Sequence, residues 1–442
     1  MSTYKKTVQI IGGGTVSHVR NHLGLAAMAY GATARKLAKL CREYSDKLDV
    51  ELHLTEMANR GVLTLPSRNI GLERLETPED VSKLVDNWKQ DPDVKIIFFN
   101  VALADYSGYI LDTKPSTHVP MFFKPTSSGK YESRLHSREG NQFMQLEPNA
   151  KMLGTIRNGR KDIHLVGFKT TCGATEDEQY LAALNLLKET SCNLVFANDT
   201  KTRLNMIVTP EEARYHVTKD RDLALKNLVE MAYLRSHLSF TRSTVVAGEA
   251  VPWSSSDVPQ TLRDVVNYCI DRGAYKPFRG ATVGHFAAKI GPNTFLTSRR
   301  KTNFNEINKL GLVKVVTDGP DRVTAYGFKP SVGGQSQRIV FDEHKDLDCI
   351  VHFHSPIKAG SLVPTASQRE VECGSHECGK NTSAHLQKFG NLYAVYLDNH
   401  GPNIVFNRNI DPQEVINFIE ANFDLALKTG GPVKLETSNQ TV

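Results

Sequence analysis

The sequence predicts an α/β protein with two successive α/β domains, and three observations support this expectation. The first half alternates apolar strand-like segments such as KTVQIIGGG, VELHLT and VKIIFFNVA with helical stretches. Several of these segments are apolar at nearly every position, which is typical of parallel strands buried on both faces. A chain of 442 residues also exceeds the size that one hydrophobic core usually supports.

The helices of the first half lie between its strands. The sequence pattern predicts helices over residues 26–44, 78–90 and 176–190. Strands separated by helices of this length form βαβ crossovers, so the sheet is mostly parallel, with helices on both faces. We therefore expect a Rossmann-like, mostly parallel sheet domain over residues 1–246.

A polar, proline-containing stretch, AGEAVPWSSSDVP, marks a change in this pattern. We place a linker at residues 247–258 and a second α/β domain at residues 259–442, which opens with the helix TLRDVVNYCIDRG. Further helices are expected near residues 337–344 and 412–427. Residues 107–140 are rich in Pro, Ser, Thr and Lys, which predicts a long excursion from the first sheet.

The bulk composition narrows the class of protein. The chain is 40% hydrophobic and 23% charged, and no apolar stretch approaches the ~20 residues that cross a bilayer. We expect no secretory signal and therefore a cytoplasmic protein, and its seven cysteines suit reduced thiols better than a disulfide framework. The net charge is +6, and the lysines and arginines are interspersed with acidic residues, which argues against nucleic-acid binding. Small anionic molecules remain candidate ligands.

Three histidines of the second half form a candidate metal site. His352 and His354 lie two residues apart in the strand-like segment CIVHFHSP, so their side chains share one face. His400 lies where the strand LYAVYLDNHGP gives way to a turn. Three imidazoles with an open fourth position are typical of catalytic zinc, which acts as a Lewis acid.

The histidine motifs VHFHSP and LDNHGPNIVF resemble those of the class II aldolase/adducin family. The resemblance extends to QRIVFDEHKDLDCIVH, TVGHFAAKI and KPSV. It implies a class II aldolase-like α/β domain in which His352, His354 and His400 bind Zn²⁺. It also implies a small, phosphorylated, sugar-like substrate and a homo-oligomer.

This chain departs from the family at the acid/base glutamate, because Gly333 occupies that position. An aldolase needs a general base near the metal. Either Glu370, Glu372 or Glu377 supplies the base from another loop, or the site is non-catalytic. The usual Asn of the family's GNxS strand is His285 here.

The family's phosphate-binding region also differs in this chain. It implies anion binding by Ser298, Arg299 and Ser331, although the run Arg299–Lys301 is also compatible with a solvated basic turn. Nearby, Cys373, His376 and Cys378 are a weaker candidate for a second zinc site, since a fourth ligand must come from elsewhere.

The strand ends of the first half carry the motifs IIGGGT, NVALADY, GFKTT and FANDT. Ligands of open parallel sheets bind beyond the carboxyl ends of the strands, where these motifs are expected to lie. In this order they resemble phosphopantothenoylcysteine synthetase. The resemblance implies a nucleotide such as CTP or ATP with Mg²⁺, bound by Gly12, Gly13, Gly14, Thr15, Ala104, Asp105, Arg134, Phe168, Lys169 and Asn198.

The first half also departs from its family. Arg134 replaces the phosphate-contacting lysine, and the substrate loop reads GLAAM at residues 24–28, without polar donors. The GFKTTCG segment lacks the family's glutamate. These changes are compatible with the family's fold and with a nucleotide or related phosphate ligand. They argue against the family's specific ligase reaction.

Two functions remain open from the sequence. The first is a two-domain enzyme, with a lyase-type zinc site for aldol cleavage, epimerisation or dehydration and a carboxylate-amine ligase-like nucleotide site. The alternative is a non-catalytic binding or assembly protein that keeps both sites. Since the two families pair their chains differently, we expect either a closed dihedral homo-oligomer or an open assembly.

Overall fold

The computed structural model describes residues 6–44, 48–58, 74–111, 127–319 and 322–431. Its contacts divide the chain into two units that interleave in sequence. The first unit takes residues 1–170, 185–198 and 219–236, and the second takes residues 171–184, 199–218 and 237–442. The boundary proposed from sequence at residues 247–258 stays a prediction.

The first unit contains a parallel sheet in the strand order β9-β8-β5-β1-β4. The pairs β1–β4, β1–β5 and β5–β8 are all parallel, which confirms the mostly parallel sheet expected from the sequence. The strands and helices of the first part of the chain are β1 (Lys6–Gly14), β2 (Val16–Arg20), β3 (Leu23–Ala26), α1 (Ala32–Tyr44), β4 (Leu48–Leu54), α2 (Pro78–Gln90), β5 (Val94–Ala102), β6 (Tyr106–Leu111), β7 (Phe143–Pro148), α3 (Ile156–Gly159), β8 (His164–Thr171), α4 (Glu176–Thr190), β9 (Leu194–Asp199) and α5 (Arg221–Arg235).

Local sequence signals set most of these boundaries. The helix α2 starts after Thr77, whose side chain accepts a hydrogen bond from the Asp80 backbone, while the Asp80 carboxylate accepts one from the Thr77 backbone. The helix predicted over residues 26–44 starts only at Ala32, because β3 pairs with β2 as an antiparallel ribbon instead. Of the predicted excursion, residues 112–126 lie outside the described residues.

The second unit contains a mixed sheet in the order β12-β18-β17-β16-β15-β19-β23-β22-β20, with β21 paired to β22. Most pairs are antiparallel, while β12–β18 and β20–β22 are parallel. Its elements are β10 (Asn205–Val208), β11 (Arg214–Thr218), β12 (Arg242–Val246), α6 (Gln260–Asp271), β13 (Pro277–Phe278), β14 (Ala281–Thr282), β15 (His285–Gly291), β16 (Thr294–Thr297), α7 (Ile307–Leu310), β17 (Val313–Thr317), β18 (Arg322–Tyr326), α8 (Val332–Glu343), β19 (Cys349–His352), β20 (Thr365–Ala366), α9 (His376–His385), β21 (Gln387–Phe389), β22 (Leu392–Leu397), β23 (Gly401–Phe406) and α10 (Pro412–Asn422).

Helices cover both faces of this sheet. On one face, residues of α6 and α10 such as Val265 and Ile419 pack with Phe286 of β15. On the other face, Val340 of α8 packs with Ala287, the next residue of the same strand. Successive strand residues point to opposite faces, so β15 is buried on both sides. In the described part of the chain, no helix is long and apolar enough to cross a membrane.

Two helices of the second unit also differ from the expected bounds. The helix expected from residue 337 starts at Val332, directly after Ser331, since the weak helix formers in its first turn hide the start from the sequence pattern. The helix expected to reach residue 427 ends at Asn422, because the next residue, Phe423, makes a β-bridge with Ile357.

Gly401, the first residue of β23, lies directly against a neighbouring backbone segment. Its φ of 143° lies in the region that favours glycine, and a Cβ added there would overlap with the carbonyl oxygen of Phe353. Gly401 therefore permits the chain after His400 to lie directly against the segment between His352 and His354.

We predict that Gly401→Ala lowers the free energy of unfolding by at least about 2 kcal/mol, because the side chain adds both backbone strain and overlap. Urea denaturation in the presence of a metal chelator measures this loss. The control is Gly291→Ala, whose Cβ would meet only the ordinary contact distance to Thr294. Equal stability of the two variants would contradict the prediction.

Candidate metal centre and nucleotide-binding segments

The structure brings the three predicted metal ligands together. His352 is the last residue of β19, His354 follows two residues later, and His400 lies in the turn between β22 and β23. All three are buried, and one potential ligand atom from each lies within 4.8 Å of the others. The ring centroids are 4.5–5.0 Å apart.

Hydrogen bonding sets the tautomer of His352. Its Nδ1 donates to the carbonyl oxygen of Pro402 at 2.7 Å, so its Nε2 keeps a lone pair. That Nε2 lies 3.2 Å from Nε2 of His400. Burial lowers the pKa of His352 to about 4, against the opposing effect of the Pro402 carbonyl. The imidazole is therefore neutral at neutral pH, which is the form that binds a metal.

A fourth histidine, His285, stacks on this cluster. Strand register places it opposite His352, and the ring centroids are 4.8 Å apart. Nε2 of His285 lies 2.6 Å from the side-chain nitrogen of Gln337 on α8, which donates to it. Burial lowers the pKa of His285 well below its ordinary value. Sequence reasoning missed Gln337, although it lies one helical turn after Gly333 and so shares its helix face.

Thr429 holds the backbone of two of the imidazoles. Its N–H donates to the carbonyl of His354 at 3.0 Å, and its hydroxyl donates to the carbonyl of His400 at 2.9 Å. No motif in the sequence signalled this residue. The donor set of three buried imidazoles fits a tetrahedral ion such as Zn²⁺, whose fourth ligand would come from elsewhere.

The predicted anion-binding residues lie near the start of α8. The backbone N–H of Ser331 donates to the carbonyl of Ser298 at 2.8 Å, and both serines are buried. The guanidinium of Arg299 stacks over Phe328, 3.6 Å from the ring centroid, and burial lowers its pKa. The structure thus places Ser298 and Ser331 in contact. The guanidinium of Arg299 packs against the ring of Phe328.

The candidate bases make other contacts. The Glu370 carboxylate accepts hydrogen bonds from Ser367 at 2.8 Å and Arg369 at 3.2 Å, and these outweigh burial to lower its pKa. Glu377 accepts from the backbone of Ser239 at 3.0 Å. In the described part of the chain, the metal cluster includes neither of them, nor Glu372.

The alternative second zinc site is not assembled among the described residues, where Cys373, His376 and Cys378 do not form a metal-binding group. Nε2 of His376 lies 2.9 Å from the hydroxyl of Thr241, and Sγ of Cys378 accepts from Gln368 at 3.5 Å. His376 and Cys378 thus each contact a side chain outside the predicted trio.

The predicted nucleotide segments lie at the carboxyl ends of parallel strands. Gly12, Gly13 and Gly14 end β1 and are buried, as is Thr15. The Thr15 hydroxyl accepts from the backbone of Ala104 at 2.9 Å, which ties the first motif to the second. The exposed carboxylate of Asp105 lies 2.6 Å from Lys151.

The other strand ends show similar local contacts. The ring of Phe168 lies 5.8 Å from that of Phe196, and the hydroxyl of Thr170 donates to the Asn198 side chain at 3.4 Å. Lys169 is half-buried beside Phe168, whereas Arg134 is exposed in a loop. Contacts at the carboxyl-terminal end of the parallel strands therefore involve Thr15, Ala104, Thr170 and Asn198.

Residues 264–412 match the family model for the class II aldolase and adducin N-terminal domain. This match confirms the resemblance inferred for the C-terminal half, where it includes all three histidines of the metal cluster. No curated protein matches the sequence.

Solved structures of both expected kinds are similar to this chain. A DNA/pantothenate metabolism flavoprotein from Streptococcus pneumoniae is 19% identical, with a TM-score of 0.43, over 51% of this chain and 96% of that one. The C-terminal domain of the coenzyme A biosynthesis bifunctional protein CoaBC is 17% identical, with a TM-score of 0.37, over 52% and 95%. An L-fuculose 1-phosphate aldolase is 18% identical, with a TM-score of 0.29, over 38% and 84%.

We predict that the chain binds about one zinc ion and that His352→Ala or His354→Ala removes it, because two remaining imidazoles hold the ion poorly. Elemental analysis after dialysis measures the metal content. His385→Ala is the control, since His385 is exposed at the end of α9 and outside the cluster. Unchanged zinc in both site variants would overturn the assignment.

Proposed function

We propose that the chain is a two-domain enzyme with a zinc-dependent, class II aldolase-like site and a synthetase-like nucleotide-binding domain. The observation that carries the proposal is the buried cluster of His352, His354 and His400, which offers three of the four ligands of a tetrahedral zinc site. The reaction class is lyase-type: aldol cleavage, epimerisation or dehydration of a small phosphorylated sugar-like substrate.

The roles of the residues follow from their chemistry. When bound, Zn²⁺ supplies Lewis-acid polarisation of a substrate carbonyl. His352, His354 and His400 hold the ion, and His285 with Gln337 fixes the plane of His352. Ser298, Ser331 and Arg299 bind the anionic end of the substrate, since hydroxyl and guanidinium groups donate hydrogen bonds to phosphate.

The general base of this mechanism must come from a position other than the one that carries it in the class II aldolase family. Gly333 in the first turn of α8 carries no carboxylate. In the proposed homo-oligomer, Glu370, Glu372 or Glu377 of a neighbouring copy provides the base. This missing carboxylate also favours the second candidate function, a binding or assembly protein that keeps zinc without catalysis.

We predict that the zinc-loaded protein exchanges the hydrogen next to the carbonyl of a phosphorylated hydroxyketone in D₂O and that Gly333→Glu accelerates this exchange. A positioned base contributes roughly 10²–10⁴-fold in rate. NMR follows the exchange, with His352→Ala as the inactive control. If neither protein exchanges hydrogen while both bind zinc, the binding or assembly function is favoured.

For the first half, we propose binding of a nucleoside triphosphate, CTP or ATP with Mg²⁺, in a carboxylate-amine ligase-like site. The supporting observation is that four parallel strands end at one edge with Gly12–Thr15, Ala104–Asp105, Phe168–Lys169 and Asn198. The carboxylate of Asp105 is exposed, and in this proposal it exchanges its ion pair with Lys151 for contact with the ligand or its Mg²⁺. Arg134 supplies a positive charge from the loop. A cytoplasmic location stays a prediction.

We predict that Asp105→Ala weakens nucleotide binding at least about tenfold, which corresponds to about 1.4 kcal/mol. Isothermal titration calorimetry with CTP and ATP in the presence of Mg²⁺ measures the dissociation constants. The control is Asp86→Ala, which removes another exposed carboxylate, on α2. If no nucleotide gives heat with the unmodified chain, the first half is a scaffold.

A further inference from the structure

A fully buried ion pair in the second unit has no role in the proposed chemistry. The Lys428 ammonium lies 2.8 Å from the Glu212 carboxylate, and each side chain is only 1% exposed. Desolvating two charges is costly and is offset only by excellent geometry. Glu212 also has a φ of 63°, a strained conformation for a residue other than glycine. Such a feature requires a structural or functional reason.

The turn between β10 and β11 packs closely against residues 428–430. Gly430 has a φ of 82°, and a Cβ added there would overlap with the carbonyl oxygen of Glu212. The Arg214 guanidinium donates to the Gly430 carbonyl, and the Tyr180 hydroxyl donates to the Glu212 carbonyl at 2.6 Å. We call Tyr180, Glu212, Arg214 and Lys428 the tail clamp.

Residues 428–430 also contact the cluster of His352, His354 and His400. Thr429, the residue after Lys428, donates hydrogen bonds to the carbonyls of both His354 and His400. The same β-hairpin also reaches the turn that carries His400, since the Tyr215 hydroxyl donates to the Asp398 carbonyl at 3.3 Å. A continuous set of contacts thus joins the hairpin to two of the three ligands.

We propose that Glu212 and Lys428 are positioning residues for the metal centre, which they orient by locking Thr429 between the hairpin and the backbone of His354 and His400. Part of the metal site would then come from residues 199–218, far upstream of the three histidines. The inference rests on the proposed metal binding. Groups that orient metal ligands typically change metal affinity by roughly 10–100-fold when they are removed.

The test uses the full chain with Co²⁺, whose visible absorption reports ligand geometry. Thr429→Val removes only the hydroxyl that bonds to the His400 carbonyl, and Thr429→Ser restores a hydroxyl. The double variant Glu212→Gln/Lys428→Met removes both buried charges, so that neither is left unpaired. The control is Lys276→Met, because Lys276 bonds to the Leu425 carbonyl at 2.6 Å in the same tail, outside the clamp.

We expect Thr429→Val and the double variant to bind Co²⁺ about tenfold or more weakly, with shifted absorption bands. Thr429→Ser and Lys276→Met should resemble the unmodified chain. If the variants match it in both affinity and spectrum, the positioning role is wrong. If the unmodified chain binds no metal, the proposed function itself fails. Should the double variant not fold, the comparison of Thr429→Val with Thr429→Ser decides.

Discussion

The close approach of Gly401 to the Phe353 carbonyl is the constraint on which the metal cluster depends. It seats the start of β23 against the segment that carries two histidines and so sets the third, His400, beside them. The same approach places Pro402 where its carbonyl accepts the Nδ1 hydrogen of His352. This one close contact between two backbone segments thus brings the three imidazole rings together and sets the tautomer of His352.

Burial gives this cluster its chemical character. Desolvation disfavours the protonated form of His352 and His285, so the site presents neutral nitrogen donors at neutral pH. Among the described residues, the cluster contains no carboxylate that would offset the charge of a bound divalent ion. A divalent ion bound there would therefore keep its full positive charge. This charge favours the anionic substrate proposed above over a neutral one.

Local patterns allowed the sequence to predict most strands and the three histidines that the structure brings together. Two helices, Pro78–Gln90 and Glu176–Thr190, have the predicted bounds because a threonine directly before each helix caps its first turn. The spacing of His352 and His354 sufficed to place them on one face. The contact between His285 and Gln337 joins residues 52 positions apart. No local signal reports such a pair, and the bond between Thr429 and His400 escaped prediction for the same reason.

A change in composition shows where a chain changes its local pattern, whereas contacts decide which residues fold together. Residues 199–218 follow directly after a segment of the first unit, yet by their contacts they group with the unit that contains the histidine cluster. The Asp199 carboxylate anchors the start of this segment by accepting hydrogen bonds from the backbone of Gly173, Ala174, Lys201 and Thr202. All four of these donors belong to the same unit as residues 199–218. A segment can therefore belong to one unit by its contacts although the strand before it in the sequence belongs to the other.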